Sequence, residues 1–250
     1  MSRVHGVSKT RRIYITQLVI RCLVLVICVL LLIFKPEQAE ILHGWNFFRR
    51  FSPFHLLWLA WMLDMLWQIV PVRKHLTIAL GSQKHFGFRF QPIRESINYQ
   101  ALRRHIITTT KAAYKVFAIW FAVVAAVSLL RYFGLLTDTA LLLVTIAFYV
   151  CDLICVLVWC PFRLILKTRC CTTCRIFNWD HLMMFTPMLT VHGFYSRSLL
   201  LMAIADWLIW ELCIMMYPER FWEQTNSALR CENCTDKLCT QYCEANRRKK

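Results

Sequence analysis

The chain has 250 residues, of which 58% are hydrophobic, and it carries a formal net charge of +16. Soluble domains contain about 45–50% apolar residues, so this composition excludes an ordinary soluble enzyme and indicates one membrane unit. The basic residues lie in short segments between long apolar stretches, which is typical of membrane topology signals and of contact with anionic lipid, and not of nucleic-acid binding.

The first half of the chain contains two predicted membrane spans and a long basic loop. Residues 13–34 are apolar apart from Gln17 and Arg21, and they are long enough to cross a hydrocarbon core of about 30 Å. No small-residue cleavage site follows, so we interpret this span as an uncleaved anchor. Residues 54–70 form the second span. The loop 71–115 has nine basic residues and one acidic residue, which predicts a cytosolic location.

The second half contains four further apolar segments, at residues 116–136, 139–162, 182–195 and 198–217. The third of these is short and contains Pro187 and Gly193, whereas the others have the length of ordinary spans. Basic residues occur before the first span, in the central loop, after the fourth span and in the tail. An even number of crossings places all four groups in the cytosol. We therefore predict an all-α bundle of about six spans over residues 1–217, a cytosolic Cys-rich tail at 218–250, and both termini in the cytosol.

Cysteine spacing is the sharpest chemical signal in the sequence. Cys171 and Cys174 form one C-x-x-C pair, and Cys231 and Cys234 form a second, with 56 residues between the two pairs. Each pair lets two thiolates converge on one ion, so two pairs complete a tetrahedral four-cysteine site. We predict that this site is a clasp between the loop after the fourth span and the tail. Neighbouring cysteines add candidate ligands at Cys170, Cys239 and Cys243.

The metal in this predicted site is zinc or an iron–sulfur cluster. Zinc is the usual ion of paired C-x-x-C turns. The tail spacing C-x2-C-x4-C-x3-C differs from the bacterial ferredoxin spacing by two residues in the middle gap, so an iron–sulfur cluster that includes Cys239 and Cys243 is the alternative. Two further interpretations are a thiol–disulfide enzyme, which normally requires an oxidising compartment, and unligated cytosolic thiols.

Carboxylates inside the predicted spans form a second group of candidate site residues: Asp64, Asp152, Asp206 and Glu211. An ionised carboxylate costs about 2.5–3.5 kcal/mol at the centre of a membrane helix, so these side chains should face the bundle interior. In the functional interpretation, these carboxylates form a path for protons or cations. In the structural interpretation, each is neutral or is paired with an arginine, for example Arg21 or Arg131. Both arginines lie near predicted span ends, where they can extend to the headgroups and leave the acids without a partner.

Three weaker features surround the short apolar segment. His181 and His192 flank it and are candidate metal or haem ligands, although a single histidine near an interface is usually only hydrogen-bonded. The stretch Arg175 to Asp180 is dense in polar and aromatic residues. One interpretation is that it binds a ligand at the membrane face, and the other is that Asp180 only caps the helix that follows. Methionines are frequent here, but no repeated Met-x-x-Met spacing indicates copper transport.

The sequence contains no nucleophile elbow, P-loop, dinucleotide fingerprint or H-E-x-x-H motif, so catalysis is not expected. We expect a multi-pass membrane protein whose structural zinc clasp serves transport or partner binding. The alternative is a membrane electron-transfer protein with an iron–sulfur cluster in the same place. The expected partners are the bilayer, anionic lipid headgroups at the basic cytosolic face and a protein partner, with no nucleic acid.

Overall fold

The computed structural model describes residues 9–69, 90–93, 97–168, 173–230, 233 and 238, and regular structure in these ranges is helical apart from two isolated β-bridges. The α-helices are α1 (Lys9–Phe34), α2 (Asn46–Arg49), α3 (Phe54–Ile69), α4 (Tyr99–Tyr132), α5 (Asp138–Leu157), α6 (Arg163–Leu166), α7 (Asp180–Phe185) and α8 (Phe194–Met216). Short 3-10 turns lie at Pro36–Leu42, Phe177–Trp179, Thr186–Thr190, Pro218–Phe221 and Ser227–Leu229.

Four of the described helices, α1, α4, α5 and α8, are long and apolar enough to cross a membrane. Their outward faces are as apolar as a protein interior; Val19, Leu23 and Val26 of α1, for example, are all more than half exposed. Exposed apolar surfaces of this extent are typical of helices that face lipid. The predicted helical fold is thus confirmed for the described residues, and the four helices fit an integral membrane protein.

Helix α4 begins well before the predicted third span at 116–136. Asn98 caps it, because the Asn98 side chain accepts a hydrogen bond from the Ala101 amide at 3.0 Å. The basic residues between Tyr99 and Lys115 therefore belong to the same continuous helix as the apolar span. The second part of the predicted cytosolic loop is a helical extension of the bundle.

Helix α5 ends five residues before the predicted boundary at residue 162. Thr137 caps its first turn by accepting from the Ala140 amide at 3.2 Å, and the helix stops at Leu157. Pro161 has no amide hydrogen and disfavours helical backbone at the residue before it, which explains why the helix does not continue. The chain turns here before the single-turn helix α6.

The short apolar segment predicted at 182–195 is a broken structure and not a regular helix. It starts with α7, continues as the 3-10 turn Thr186–Thr190, and is extended at Val191 and Gly193. Pro187 lies at the start of the 3-10 turn, where its fixed φ and missing amide hydrogen favour the tighter geometry. Helix α8 begins directly afterwards, at Phe194 and not at residue 198.

The loop after α1 meets the start of α8 at one end of the bundle, which we name the Gly44 end. Gly44 and Gly193 form a parallel β-bridge, in which the Gly44 amide donates to the His192 carbonyl at 2.9 Å and the Phe194 amide donates to the Gly44 carbonyl at 3.0 Å. The turn between α4 and α5 also lies at this end, because His43 is 3.3 Å from Asp138.

The opposite end, which we name the Cys174 end, brings the tail to the start of α1 and the end of α5. Leu238 packs in one cluster with Tyr14, Leu153 and Leu157. The tail also contacts the described part of the central loop, since the Ser227 amide donates to the Gln91 carbonyl at 2.9 Å. The tail and this part of the loop therefore lie on the same face of the bundle.

The main core lies between these two ends, where large side chains of α3, α5, α7 and α8 interlock. Trp61, Phe185, Tyr195 and Leu199 are fully buried in this cluster. The Trp61 and Phe185 rings meet edge to face, with centroids 5.2 Å apart, which is a favoured aromatic geometry. This packing holds the broken segment against the bundle and so fixes the position of its first residues.

Candidate functional site

Arg21 lies near the middle of α1 and binds two carboxylates from other helices. Its Nη1 donates to the Asp152 Oδ2 at 2.9 Å and to the Tyr149 carbonyl at 2.7 Å, and its Nη2 is 3.6 Å from the Asp64 Oδ2. The guanidinium also stacks over the Tyr149 ring at 3.7 Å. The Arg21 side chain is only 13% exposed, so it does not extend to the headgroups.

His181 is the second centre of charge, and it contacts three carboxylates. Its Nε2 is 3.5 Å from the Asp64 Oδ2, and its Nδ1 is 3.4 Å from the Asp180 Oδ1 and 3.9 Å from the Asp206 Oδ2. Gln68 supports this group, because its Nε2 donates to the Asp180 Oδ2 at 2.8 Å. The His181 side chain is 5% exposed and Asp206 is 1% exposed, so these contacts lie inside the bundle.

The two centres share Asp64 and so form one ionic network, whose members are Arg21, Asp64, Asp152, Asp180, His181 and Asp206. Four carboxylates face one permanently charged cation. Because an uncompensated buried charge costs several kcal/mol, the network holds at least one further proton, on His181 or on a carboxyl group. The groups that can carry this proton lie 3.4–3.9 Å apart around His181.

A cavity of about 370 Å³ adjoins this network and extends from it toward the Cys174 end. Arg21, Asp64, Asp152 and Asp180 line its wall, together with the polar side chains of Gln17, Gln68, Arg163 and Thr168. The remaining wall is mostly apolar and includes aromatic and sulfur-containing side chains, such as Trp120. A cavity with a few converging polar groups in an otherwise apolar wall is the usual form of a binding site.

Glu211 does not belong to the network. It accepts from the Arg175 Nη1 at 2.7 Å and from the Trp179 Nε1 at 2.9 Å, and Arg175 is 7% exposed. This buried pair attaches the stretch before α7 to α8, and so it positions Asp180 and His181. Of the four carboxylates that the sequence singled out, Asp64, Asp152 and Asp206 are in the network, and Glu211 is a structural anchor beside it.

The other candidate residues of the short segment separate in the structure. Asp180 is the first residue of α7 and lines the cavity, which is compatible with the ligand-binding interpretation of Arg175 to Asp180. His192 lies at the Gly44 end, with its Nδ1 3.5 Å from the Arg197 Nη2. It is therefore at the opposite end from Cys174, and the two histidines do not form one site.

The predicted metal site falls almost entirely outside the described residues, which exclude Cys170, Cys171, Cys231, Cys234, Cys239 and Cys243. Cys174 is described, and it lines the cavity at the Cys174 end. Among the described residues, no three His, Cys, Asp or Glu side chains converge in a metal-binding group. The four-cysteine clasp therefore stays a prediction.

Sequence reasoning assigned Arg21 to a span end and gave His181 only a minor role. The signal for Arg21 was its depth, because it lies twelve residues inside a 26-residue apolar helix, too far from the start of α1 to reach the headgroups easily. His181 carried no such signal, since its partners Asp64 and Asp206 come from α3 and α8.

Comparison with known proteins finds no matching family model, no matching curated protein and no matching solved structure.

Proposed function

We propose that this chain is a membrane transport protein that conducts protons through the ionic network. The observation that supports this proposal is the position of His181, whose two ring nitrogens lie between Asp64, Asp180 and Asp206 at 3.4–3.9 Å. Chains of Asp, Glu and His inside membrane bundles are the usual form of proton relays. Asp64 and Asp180 also line the cavity, so the chain of groups begins where water or a substrate can reach it.

The relay runs from the cavity toward α8. A proton arriving on Asp64 passes to the Nε2 of His181, and the Nδ1 releases a proton to Asp206, which is more deeply buried. The distances exceed those of ordinary hydrogen bonds, so each transfer needs a small approach of the side chains or a bridging water. Arg21 donates to Asp152 and lies 3.6 Å from the Asp64 oxygen that also faces His181, so it holds both carboxyl groups in place.

A first test compares two histidine variants in proteoliposomes that contain a pH-sensitive dye. A potassium gradient with valinomycin drives proton entry. We expect the wild-type chain to acidify the vesicles faster than protein-free vesicles do, and the His181→Gln variant to be slower by about 10²-fold, the lower end of what a positioned proton carrier contributes. His192→Gln is the matched control, because His192 is exposed at the Gly44 end, and it should conduct at the wild-type rate.

Two results would reject the relay. One is a His181→Gln variant that conducts at the wild-type rate. The other is a wild-type chain that conducts no faster than protein-free vesicles although His181→Gln lowers its melting temperature. The second result would assign the network a structural role only.

We further propose the cytosolic four-cysteine clasp, with structural zinc bound by Cys171, Cys174, Cys231 and Cys234. Its support is the position of the tail: Leu238 packs against Leu157 near the end of α5, and Cys174 lies at the same end of the bundle. The two cysteine segments are thus attached to neighbouring parts of the molecule. An iron–sulfur cluster with Cys239 and Cys243, which serves electron transfer, is the alternative occupant.

Metal analysis of the anaerobically purified chain tests the clasp. We expect about one zinc per chain and no colour, and each single Cys→Ser change among the four ligands should remove most of the zinc, because about 10–16 kcal/mol of binding energy depends on the complete set. Cys22→Ser is the control and should keep the metal, since Cys22 is exposed on α1. Iron with broad absorption near about 400 nm would favour the alternative. A chain without either metal would disprove the clasp.

The orientation in the membrane is also a proposal. Six crossings, counting α3 and the broken segment, would place both termini in the cytosol together with the basic start of α4. Arg103, Arg104, Lys111 and Lys115 lie on that part of the helix, before its most apolar stretch. At the cytosolic face they would bind anionic lipid headgroups or a protein partner.

A further inference from the structure

Two buried polar atoms on the cavity wall have unused hydrogen-bonding capacity. Gln68 lines the cavity and is 8% exposed, and its Oε1 has no hydrogen-bond partner among the residues that the structure describes. Its Nε2 donates to the Asp180 Oδ2 at 2.8 Å, which fixes the amide and leaves Oε1 as an acceptor. The Thr168 Oγ1 on the same wall is also buried and unpaired within that part of the chain. Unpaired buried polar atoms are unfavourable, so they indicate a ligand that donates hydrogen bonds.

The charged side chains of the wall favour a cation. Asp64, Asp152 and Asp180 contribute three carboxylates, whereas Arg21 and Arg163 contribute two guanidinium groups. Arg21 donates to Asp152 and lies 3.6 Å from Asp64, so its donors are directed at carboxylates of the protein and not at a ligand. The wall thus has one more carboxylate than guanidinium, and a ligand of charge +1 compensates this excess.

The acceptors that a cation can use come from two neighbouring elements. Asp64 and Gln68 are four residues apart on α3, so their side chains share one face of the helix. Asp180, the first residue of α7, is joined to Gln68 by the hydrogen bond described above. A primary ammonium group has three N–H donors, which matches the acceptors that these three side chains provide on one wall.

The rest of the wall favours an apolar body on the same ligand. Trp120 of α4 and Phe148 of α5 form one aromatic surface, with ring centroids 5.1 Å apart, and Leu153 and Met184 also line the cavity. Aromatic rings attract cations as well as apolar groups. The volume of about 370 Å³ is at the lower end of the range of small-molecule sites, which is about 300–1,000 Å³.

We propose that the cavity binds a small hydrophobic amine in its protonated form. Its ammonium group contacts Asp64, Gln68 and Asp180, and its apolar body lies against Trp120 and Phe148. A lipid with an amine headgroup fits less well, because the phosphate next to its ammonium would be repelled by the carboxylates. The site goes beyond the proton relay and does not depend on it: binding requires no proton transfer, so a chain that conducts no protons can still bind the amine.

The test is isothermal titration calorimetry of the full-length chain in phosphatidylcholine nanodiscs at neutral pH, with phenylbutylamine as the probe. Empty nanodiscs measure the partitioning of the probe into lipid. We expect saturable binding of one amine per chain. Phenylbutanol, the neutral analogue, should bind about 10-fold more weakly or less, because it lacks the charge-assisted hydrogen bonds, and the anionic phenylbutyrate should not bind.

Variants of the wall assign the binding to this cavity. Asp180→Asn keeps the shape of the side chain but removes its charge, and Gln68→Leu removes the unpaired acceptor. Each should lower the affinity for phenylbutylamine by about 10-fold or more. Asp138→Asn is the matched control and should bind with the wild-type affinity, because Asp138 is a buried carboxylate at the Gly44 end that does not line the cavity.

A second measurement uses the wild-type chain and so does not depend on the folding of any variant. A benzylamine that carries a photoreactive diazirine on its ring should label peptides that contain Trp120 or Phe148, and excess phenylbutylamine should reduce this labelling. Equal affinities for the amine and the alcohol, wild-type affinity in Asp180→Asn and Gln68→Leu, or labelling that excess phenylbutylamine does not reduce would each overturn the proposal.

Discussion

Replacement of Arg21 by Met is expected to lower the free energy of unfolding by about 3–5 kcal/mol, which is the typical cost of breaking a buried ion pair from one side. The change leaves Asp152 and Asp64 buried without their cation and removes the hydrogen bond to the Tyr149 carbonyl. Methionine has a similar length, so the loss of charge and not a cavity dominates the result. Thermal or denaturant unfolding in detergent micelles measures it.

Two further variants make this prediction specific. Adding Asp152→Asn and Asp64→Asn to Arg21→Met should recover most of the lost stability, because neutral amides no longer need the guanidinium. Arg50→Met is the matched control: Arg50 pairs with Glu40, and the two side chains are 59% and 46% exposed, so its removal should cost about 1 kcal/mol or less. Equal costs for the two arginine variants would show that burial of the network contributes nothing to stability.

Gly193→Ala is expected to have the second largest effect, about 3 kcal/mol or more. A Cβ at this position would lie 1.9 Å from the Leu42 carbonyl oxygen and 2.8 Å from the Leu42 carbonyl carbon. These are backbone atoms and cannot rotate away, so the loop after α1 must move. That movement would break the hydrogen bonds between Gly44 and the start of α8, in addition to the cost of overpacking. The melting temperature in detergent measures the change.

Gly134→Ala provides the comparison for this prediction. Gly134 has a φ of +75° and no atom within 4 Å of an added Cβ, so its substitution costs only the left-handed backbone strain, about 1–2 kcal/mol. If Gly193→Ala costs no more than Gly134→Ala, the contact between the loop and α8 is not tightly packed, and the close approach at Gly44 does not determine the fold.

The length of the apolar stretches in the sequence is sufficient to locate the long helices. A membrane span needs about 20 consecutive apolar residues, and stretches of this length are rare in other kinds of structure. The boundaries were harder to predict. The helical extension of α4 is polar, so only its Asn98 cap could indicate where it starts. The early end of α5 depends on Pro161, and the broken form of the short segment depends on Pro187. Both prolines were visible, but their exact effects depend on packing against neighbouring helices.

The carboxylates of the network could be recognised individually, because an acid inside an apolar span is conspicuous. Their partners could not be assigned, since Arg21, Asp64 and Asp152 lie on three different helices and meet only when the bundle is packed. His181 is a similar case, because its contacts with Asp64 and Asp206 require the broken segment to lie against α3 and α8. Sequence periodicity contains no information about such distances between helices.

For the cysteines, the sequence revealed a local motif but not which of them meet in the folded chain. The spacing of Cys171 and Cys174 drew attention because a C-x-x-C turn is a local motif that sequence alone reveals. Cys151, Cys155 and Cys160 belong to no such motif, yet the structure places all three on the cavity wall with Cys174. Cys160 lies beyond the end of α5 at Leu157, so its place on this wall depends on where that helix stops.

The lengths of α5 and α8 have a consequence for the surrounding lipid. The 20 residues of α5 span about 30 Å at 1.5 Å per residue, which is the thickness of a typical hydrocarbon core. The 23 residues of α8 span about 35 Å, so α8 fits the same bilayer by tilting. Hydrophobic mismatch at these two helices is therefore small, and a bilayer of ordinary thickness needs no local thinning beside them.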